Sequence, residues 1–164
     1  MSELAPSSID RPEPTDVDRI VSLWKALVRS QGPFGTSLLA EGNDRAVRDR
    51  LSYLLAIDGV RVARCQESIV GFVTFELWQD TFEYETSAGV VQNLFVDPDH
   101  RCRGIGSALL AAAESELTNR GAVRIRLEVL IANERARSFY TRHGYNPQRL
   151  TLQKDGETDT SNGD

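Results

Sequence analysis

One stretch constrains the fold more than any other: residues 100–110, which read HRCRGIGSALL. They follow the almost continuously apolar run 88–96, which is typical of a central strand covered on both faces. They lead into the run 107–113, whose small and apolar residues are typical of a helix. A strand, a glycine-containing turn and a helix in direct succession predict a mixed α/β architecture.

The residue types of this turn predict an anion-binding site. A helix N-terminus presents unpaired N–H groups and about half a positive charge. Gly104 and Gly106 leave room for phosphate oxygens near the backbone, and two arginines add positive charge. The dinucleotide fingerprint does not fit, because Leu109 stands where its third glycine belongs. The nucleoside-triphosphate loop does not fit either, because its lysine is missing from the turn.

Hydrophobic periodicity predicts the other elements. Strands are expected at 5–11, 60–65, 69–78, 88–96, 123–130 and 145–153, and helices after Asp16, after Asn43, over 104–120 and over 133–143. The sequence shows no internal repeat and no linker. Residues 1–153 are therefore predicted to form one domain, and the polar residues 154–164 a disordered tail.

Composition excludes several classes of function. The net charge of −5 argues against nucleic acid as a partner. No apolar stretch approaches the ~20 residues of a membrane span, so no membrane partner is expected. The N-terminal sequence lacks the basic and apolar segments of a secretory signal, which predicts a cytoplasmic protein. Two cysteines and two histidines at no recognisable spacing predict no metal site.

Further motifs surround the glycine turn. The turn itself reads Arg101-Cys102-Arg103-Gly104-Ile105-Gly106, it follows Leu94-Phe95-Val96-Asp97-Pro98, and the later segment 133–145 reads NERARSFYTRHGY. These stretches resemble the pyrophosphate motif, the central strand and the second signature of the GCN5-related N-acetyltransferase (GNAT) family. The resemblance implies a GNAT-like α/β (α+β) fold: a mixed, mostly antiparallel central sheet with flanking helices and a splayed parallel strand pair.

The resemblance also implies acetyl-CoA as co-substrate, and no metal. In the family this molecule lies where two parallel strands splay apart, here 88–96 and 123–130. By resemblance its pantetheine arm pairs with the backbone of Leu94, Phe95 and Val96. Its pyrophosphate then rests on Arg101, Cys102, Arg103, Gly104, Ile105, Gly106 and Ser107. Asn133 matches the family residue that hydrogen-bonds the cofactor arm; the alternative is a plain helix N-cap, and both roles can hold together.

The implied reaction is direct attack of an amine on the thioester carbonyl. Tyr140 matches the family residue whose hydroxyl points at the CoA sulfur, where it can donate a proton to the departing thiolate; packing in the core is the alternative. Gln92 and Asn93 stand where many members carry a carboxylate base. A water chain to a nearby acid is therefore expected, with Glu76 as the catalytic candidate. Asp80, Glu83 and Glu85 are further candidates, and His100 is expected at the surface.

The acceptor is predicted to be an amine of a small cationic molecule or of a peptide. Segment 76–85, ELWQDTFEYE, carries four acidic residues and no basic one, and an acidic wall attracts cations. Three alternatives stay open: a non-catalytic acyl-CoA-binding or sensor protein, a toxin- or antibiotic-modifying acetyltransferase, and a nucleotide-binding protein. Because dimers are common in the family, a homodimer is among the expectations, with Trp78 or the last strand as candidate interface.

Overall fold

The computed structural model of the protein describes residues 8–80, 82–101 and 103–156. The described strands are β1 (Ser8–Asp10), β2 (Val60–Cys65), β3 (Ser68–Leu77), β4 (Ala88–Val96) and β5 (Arg124–Leu127). The α-helices are α1 (Val17–Gln31), α2 (Asp44–Ala56), α3 (Ile105–Asn119) and α4 (Glu134–Arg142). Cys102, predicted as part of the anion-binding turn, lies outside the described residues, as do 5–7 of the first predicted strand and 157–164 of the predicted tail.

The strands form one sheet in the order β1-β2-β3-β4-β5. Each neighbouring pair is antiparallel except β4 and β5, which run parallel. The chain returns from β4 to β5 through α3, because parallel neighbours need a crossover connection. The prediction of a mixed, mostly antiparallel sheet with flanking helices is confirmed.

β5 pairs with only the first half of β4. Their ladder runs from Ala88, opposite Arg124, to Val91, opposite Leu127. Beyond that point, residues 92–96 have no partner on this side among the described residues. The splayed parallel pair is thus confirmed, and the second half of β4 presents an open edge of backbone N–H and C=O groups.

A β-bulge lies where β4 and β5 part. On the β3 side of β4, Thr74 lies opposite Asn93 and Phe75 lies opposite Val91. Gln92 is therefore an extra residue in β4. A bulge bends its strand and increases its twist, which accounts for the divergence of β4 from β5.

Helices cover both faces of the sheet. On one face, α1 and α2 pack Leu23 and Leu54 against Phe72, and on the other α3 packs Leu109 against Phe75. The apolar strand β4 contributes side chains to both clusters, as its composition predicted. None of the helices in the described part of the chain is long and apolar enough to cross a bilayer.

The prediction of a last strand at 145–153 is wrong. The chain adopts neither helix nor strand from 145 to 156. Leu150 and Leu152, the leucines of this segment, are 69% and 85% exposed. Pro147 has no N–H to contribute to a ladder, and two apolar residues bury too little surface to hold a strand in place.

β5 is shorter than the predicted strand 123–130. Val123 and Val129 lie outside it and are 70% and 38% exposed. The alternating pattern of the sequence continues to Val129, but the bulged strand β4 has diverged after Val91 and offers no further partner. The strand therefore ends where its neighbour departs.

Candidate functional site

The turn between β4 and α3 has the geometry of an anion site. Gly104 is the N-cap of α3 with φ +78°, a left-handed conformation that glycine adopts readily. The first helical hydrogen bond runs from the Ala108 N–H to the Gly104 carbonyl. The N–H groups of residues 105–107 therefore have no partner within the helix. An anion placed there would accept hydrogen bonds from the backbone at the positive end of the helix dipole.

The two arginines of the turn differ in their surroundings. Arg101 is half-buried, its Nε donates to the Val96 carbonyl at 3.0 Å, and its guanidinium lies 5.4 Å from the centroid of the Phe95 ring. Arg103 is exposed. Arg101 thus fastens the turn to the end of β4, whereas Arg103 contributes positive charge at the surface.

Ser107, which the family resemblance placed at the pyrophosphate, has its side chain hydrogen-bonded to α4. Its Oγ lies 2.9 Å from Nε2 of His143, and Nδ1 of His143 lies 2.7 Å from the Phe139 carbonyl oxygen. Because a carbonyl oxygen only accepts, Nδ1 carries a hydrogen. In the neutral ring Nε2 is then the acceptor, so the Ser107 hydroxyl donates to it. This contact joins the first turn of α3 to the C-terminal end of α4.

The remaining contacts of α4 also lie near this turn. A Cβ placed on Gly106 would lie 3.5 Å from Cζ of Phe139, so the turn and the helix are in close contact. Asn133 caps α4, and its side-chain oxygen accepts from the Ala136 N–H at 3.2 Å. The structure therefore supports the N-cap role of Asn133, while its role toward a cofactor stays a prediction.

Tyr140 lies within the same apolar cluster as the end of β4. Its ring packs edge to face against Phe139 and Tyr145, with centroids 5.3 and 5.9 Å away, and against the cluster that includes Val96. Burial raises the pKa of Tyr140 to about 12, so its hydroxyl keeps its proton in the working range of enzymes. No hydrogen bond joins this hydroxyl to another described residue.

Glu76 lies beside the bulge and is held by two donors. Its Oε1 accepts from Nε2 of Gln92 at 2.5 Å and from Nη2 of Arg50 in α2. Oε2 receives no hydrogen bond from the described residues, and the side chain is 20% exposed. Asn93 instead donates to Oγ1 of Thr74 at 2.9 Å. Of the two amides that stand where a base was expected, one therefore orients a carboxylate on the neighbouring strand.

The connection from β3 to β4 borders a surface cavity of about 360 Å³. Trp78, Phe82 and Tyr84 line it together with Asp80 and, from β5, Arg126. The Tyr84 hydroxyl donates to Oδ2 of Asp80 at 2.8 Å. The three aromatic side chains are largely exposed, so they form the walls of an open cavity rather than part of the core.

His100 was expected to be exposed at the surface, but it is half-buried. It ends the short 3₁₀ helix Pro98–His100, and its Nδ1 is buried without a hydrogen-bond partner in the described parts of the chain. Among the described residues, no group of three or more His, Cys, Asp or Glu side chains is arranged to hold a metal ion.

Comparison with known proteins bears directly on this arrangement. The model of the acetyltransferase (GNAT) family matches residues 21–145, from α1 to just beyond α4. The chain belongs to the GNAT family. The β4–α3 turn and the α4 segment, on which the resemblance was based, both lie inside the matched region of this GNAT chain.

Individual GNAT relatives are similar over different lengths. An uncharacterised N-acetyltransferase of Archaeoglobus fulgidus is 33% identical over 135 residues, which are 80% of this chain and 88% of that protein. An aminoalkylphosphonate N-acetyltransferase of Salmonella typhimurium is 33% identical over 94 residues, which are 57% of this chain and 60% of that protein. The match spans 41 to 60% of the length of this and three further curated relatives.

A solved structure shares the GNAT fold. The aminoglycoside N-acetyltransferase AAC(6′)-Iy, in complex with CoA, superposes with a TM-score of 0.75 over 96% of this chain and 99% of that chain. Sequence identity is 16%, so the likeness is one of fold.

The structure brings most of the predicted site residues to one region. Leu94, Val96, Ile105 and Tyr140 share an apolar cluster, and the turn that contains residues 103–107 adjoins it. Sequence reasoning did not single out three further residues: His143, which contacts Ser107, Arg50, which contacts Glu76, and Arg126, which lines the cavity. The contacts of His143 and Arg50 join residues far apart in the chain, which no local pattern indicates.

Proposed function

We propose that the protein is an acetyl-CoA-dependent N-acetyltransferase that acetylates a primary amine of a small cationic molecule or of a peptide. One observation carries the proposal. In a chain of the GNAT family, the open edge of β4, the unpaired amides at the start of α3 and the half-buried Tyr140, whose raised pKa keeps its hydroxyl protonated, adjoin one another.

The residues present fit acetyl-CoA. The open edge of β4 offers the backbone groups of Leu94, Phe95 and Val96 to the pantetheine arm, which would bind like an added strand. The amides of 105–107 suit the pyrophosphate, with the backbone of 101–104 leading into them.

The acceptor amine must lose a proton before it attacks. A lysine-like amine has a reference pKa near 10.4, so its neutral form costs about 4–5 kcal/mol at pH 7. We assign the acceptance of this proton to Glu76, directly or through water, because Oε2 is open while Gln92 and Arg50 hold Oε1. The amine nitrogen then bonds to the acetyl carbon, loses its second proton to water as the intermediate collapses, and the carbon–sulfur bond breaks.

Tyr140 acts on the leaving thiolate as a hydrogen-bond donor. The pKa of its phenol is raised to about 12, well above a reference thiol pKa of about 8.5, so complete proton transfer to the sulfur is uphill by about 5 kcal/mol. A hydrogen bond to the developing charge needs no such transfer and stabilises the transition state. The thiolate afterwards takes its proton from water.

The negative charge beside the surface cavity supports an acceptor with a cationic ammonium group. Asp80, Glu83 and Glu85 are exposed on the connection that borders it. The names of similar proteins do not narrow the choice, since one is named for an aminoalkylphosphonate and another for aminoglycosides. The acceptor therefore has to be inferred from the side chains of this chain.

The test is release of free CoA from acetyl-CoA in the presence of a panel of primary amines, together with calorimetric binding of acetyl-CoA. We expect amine-dependent release by the wild type. Tyr140→Phe should lower kcat about 10- to 100-fold with little change in the affinity for acetyl-CoA. Glu76→Gln should lower kcat by a similar factor at pH 7, with partial recovery at higher pH, where more amine is neutral.

Glu83→Gln is the matched control, because it removes an exposed carboxylate from the same region without touching Gln92 or Arg50. Equal loss in Glu76→Gln and Glu83→Gln would contradict the role of Glu76. The lack of a base on β4 favours a second candidate, a non-catalytic acyl-CoA-binding protein. Saturable binding of acetyl-CoA without release by any amine would support that candidate instead.

A further inference from the structure

Glu76 and Arg126 lie on the same face of the sheet, one strand apart. Glu76 in β3 is opposite Val90 in β4, and Val90 is opposite Arg126 in β5. Residues directly opposite each other in a sheet point to the same face. Two strand spacings separate their backbones, which is about 10 Å. Val90 therefore lies between a carboxylate and a guanidinium on a half-buried part of this face.

Arg126 differs from the other arginines with restricted exposure. Four others are buried or half-buried, and each donates hydrogen bonds to protein acceptors. Arg61 binds the carboxylate of Asp58, and Arg64 binds the carboxylate of Asp16. Arg101 binds the Val96 carbonyl, and Arg120 binds the carbonyls of Ile57 and Asp58. Arg126 is half-buried as well. Yet it has no hydrogen bond or ion pair with any described residue, and its Nε is buried without a partner.

An unpaired guanidinium with a desolvated Nε is unfavourable unless a ligand completes it. A guanidinium carries five N–H donors in a planar fork that matches carboxylate and phosphonate oxygens. Leaving such a charged donor buried without an acceptor costs free energy that a bound anion would restore. Arg126 lines the cavity of about 360 Å³, so a small ligand can reach it.

The other charged group in this cavity is Asp80. Its Oδ2 accepts from the Tyr84 hydroxyl, so the carboxylate is turned toward the connection between β3 and β4. Tyr84 lies close enough to Arg126 and Arg149 for their charges to lower its pKa, although the hydrogen bond to Asp80 raises it more. The guanidinium of Arg126 is thus the cationic group on the β5 side of the cavity.

We infer that Arg126 binds an anionic group of the acceptor, so that the acceptor is a short amine that also carries a carboxylate or a phosphonate. The inference rests on the proposed N-acetyltransferase activity, and it replaces a purely cationic acceptor by an amine that also carries an acid. With its ammonium group near Glu76 and its acid at Arg126, such a molecule spans Val90 and meets a charge of opposite sign at each end. A diamine would place a second cation against the unpaired guanidinium.

Four acceptors that share one aminoethyl group test this assignment: β-alanine, 2-aminoethylphosphonate, ethylamine and 1,2-diaminoethane. We expect kcat/KM for the two acid-bearing amines to exceed that for ethylamine by about tenfold or more, in line with a charged hydrogen bond. Arg126→Gln should remove this preference. Arg124→Gln, an exposed arginine two residues earlier on β5, should keep it.

Calorimetric titration of the protein loaded with CoA gives a second readout, which does not depend on turnover. Wild type and Arg124→Gln should bind β-alanine or 2-aminoethylphosphonate at least about tenfold more tightly than Arg126→Gln.

Turnover of ethylamine or 1,2-diaminoethane at equal or higher kcat/KM than both acids would overturn the inference and leave the proposed function standing. Absence of binding of either acid to the wild type would overturn it as well. Release of CoA with none of the four amines counts against the proposed function, and binding then decides the role of Arg126.

Discussion

At the scale of single residues, the site depends on groups whose usual behaviour is altered by their neighbours. Tyr140 sits between two aromatic rings, and burial holds its pKa at about 12. Glu76 has one oxygen occupied and one open. The Ser107 hydroxyl donates a hydrogen bond to Nε2 of His143. In each case the packing, rather than the residue type, determines which atom remains for a ligand.

Burial of Tyr140 predicts a loss of stability at high pH. The raised pKa means that the folded protein keeps the proton up to about pH 12, whereas the unfolded chain releases it near pH 10. The contribution of Tyr140 to the free energy of unfolding is therefore fully present below pH 10. It falls by about 2–3 kcal/mol as the pH rises from 10 to 12. Urea unfolding of wild type and Tyr140→Phe at pH 8 to 11.5 measures it. The stability of the variant should fall less steeply with pH, and parallel curves would contradict the prediction.

The engagement of Ser107 predicts a small effect on ligand binding. Ser107→Ala should destabilise the fold by about 1 kcal/mol, because it removes the hydrogen bond to His143. The affinity for CoA should change less than about threefold, since the backbone amide of residue 107 is retained. Urea unfolding and calorimetry check the two parts. Ser115→Ala, exposed on the same helix, is the control, and a tenfold weaker binding of CoA by Ser107→Ala alone would show that the hydroxyl contacts the ligand.

At the scale of elements, the start of α3 depends on a conformation that few residues adopt. Gly104→Val should place a β-branched side chain at φ +78°, which strains the backbone by about 1–3 kcal/mol and misaligns the first turn of the helix. Calorimetric binding of acetyl-CoA should then be lost.

Gly121→Val separates the ligand effect from general strain. Gly121 has φ +97° just beyond the C-terminal end of the same helix, so the variant bears similar strain far from the turn. Urea unfolding should show comparable destabilisation of both variants, while acetyl-CoA binding is retained in Gly121→Val alone. Binding retained by Gly104→Val would show that the turn does not hold the ligand.

The elements that local residue types determine were predictable, and those that depend on distant partners were not. Glycines, caps and apolar periodicity predicted α1 to α4 and β2 to β4 closely. The strand expected at 145–153 did not form, because Pro147 has no N–H for a ladder and Leu150 and Leu152 stay exposed. The sequence alone shows that Gln92 and Asn93 carry no carboxylate, but the link from Gln92 to Glu76 and Arg50 joins two strands and a helix. The role of Arg126 could not be predicted, because an arginine at an alternating strand position is ordinary in a sequence.

At the scale of the whole molecule, one ion network ties β2 to α3. Arg61, with 8% of its side chain exposed, pairs with Asp58 and Glu116, and Arg120 of the α3 C-cap contacts both acids. Both guanidinium groups also lie over the Phe75 ring, at 5.5 and 5.6 Å from its centroid. The network therefore holds the start of β2 against the end of the crossover helix.

Removal of the shared charge at Asp58 should loosen this junction. Asp58→Asn keeps a residue type that tolerates φ +55° but leaves Arg61 with one acidic partner fewer, at an expected cost of about 1–3 kcal/mol. The control is Asp49→Asn, whose exposed pair with Arg45 should contribute less than about 1 kcal/mol. Urea unfolding at pH 7 compares them. Equal stabilities of the two variants would contradict a structural role for the network.

The divergence of β4 from β5 also affects the stability of the protein when no ligand is bound. Unpaired backbone groups along residues 92–96 form a template to which a strand of another molecule can attach, the first step of aggregation. A bound ligand that occupies this edge removes the template and stabilises the fold by mass action. If that ligand is CoA, as proposed, its concentration would set how much of this chain stays folded as well as how fast it works.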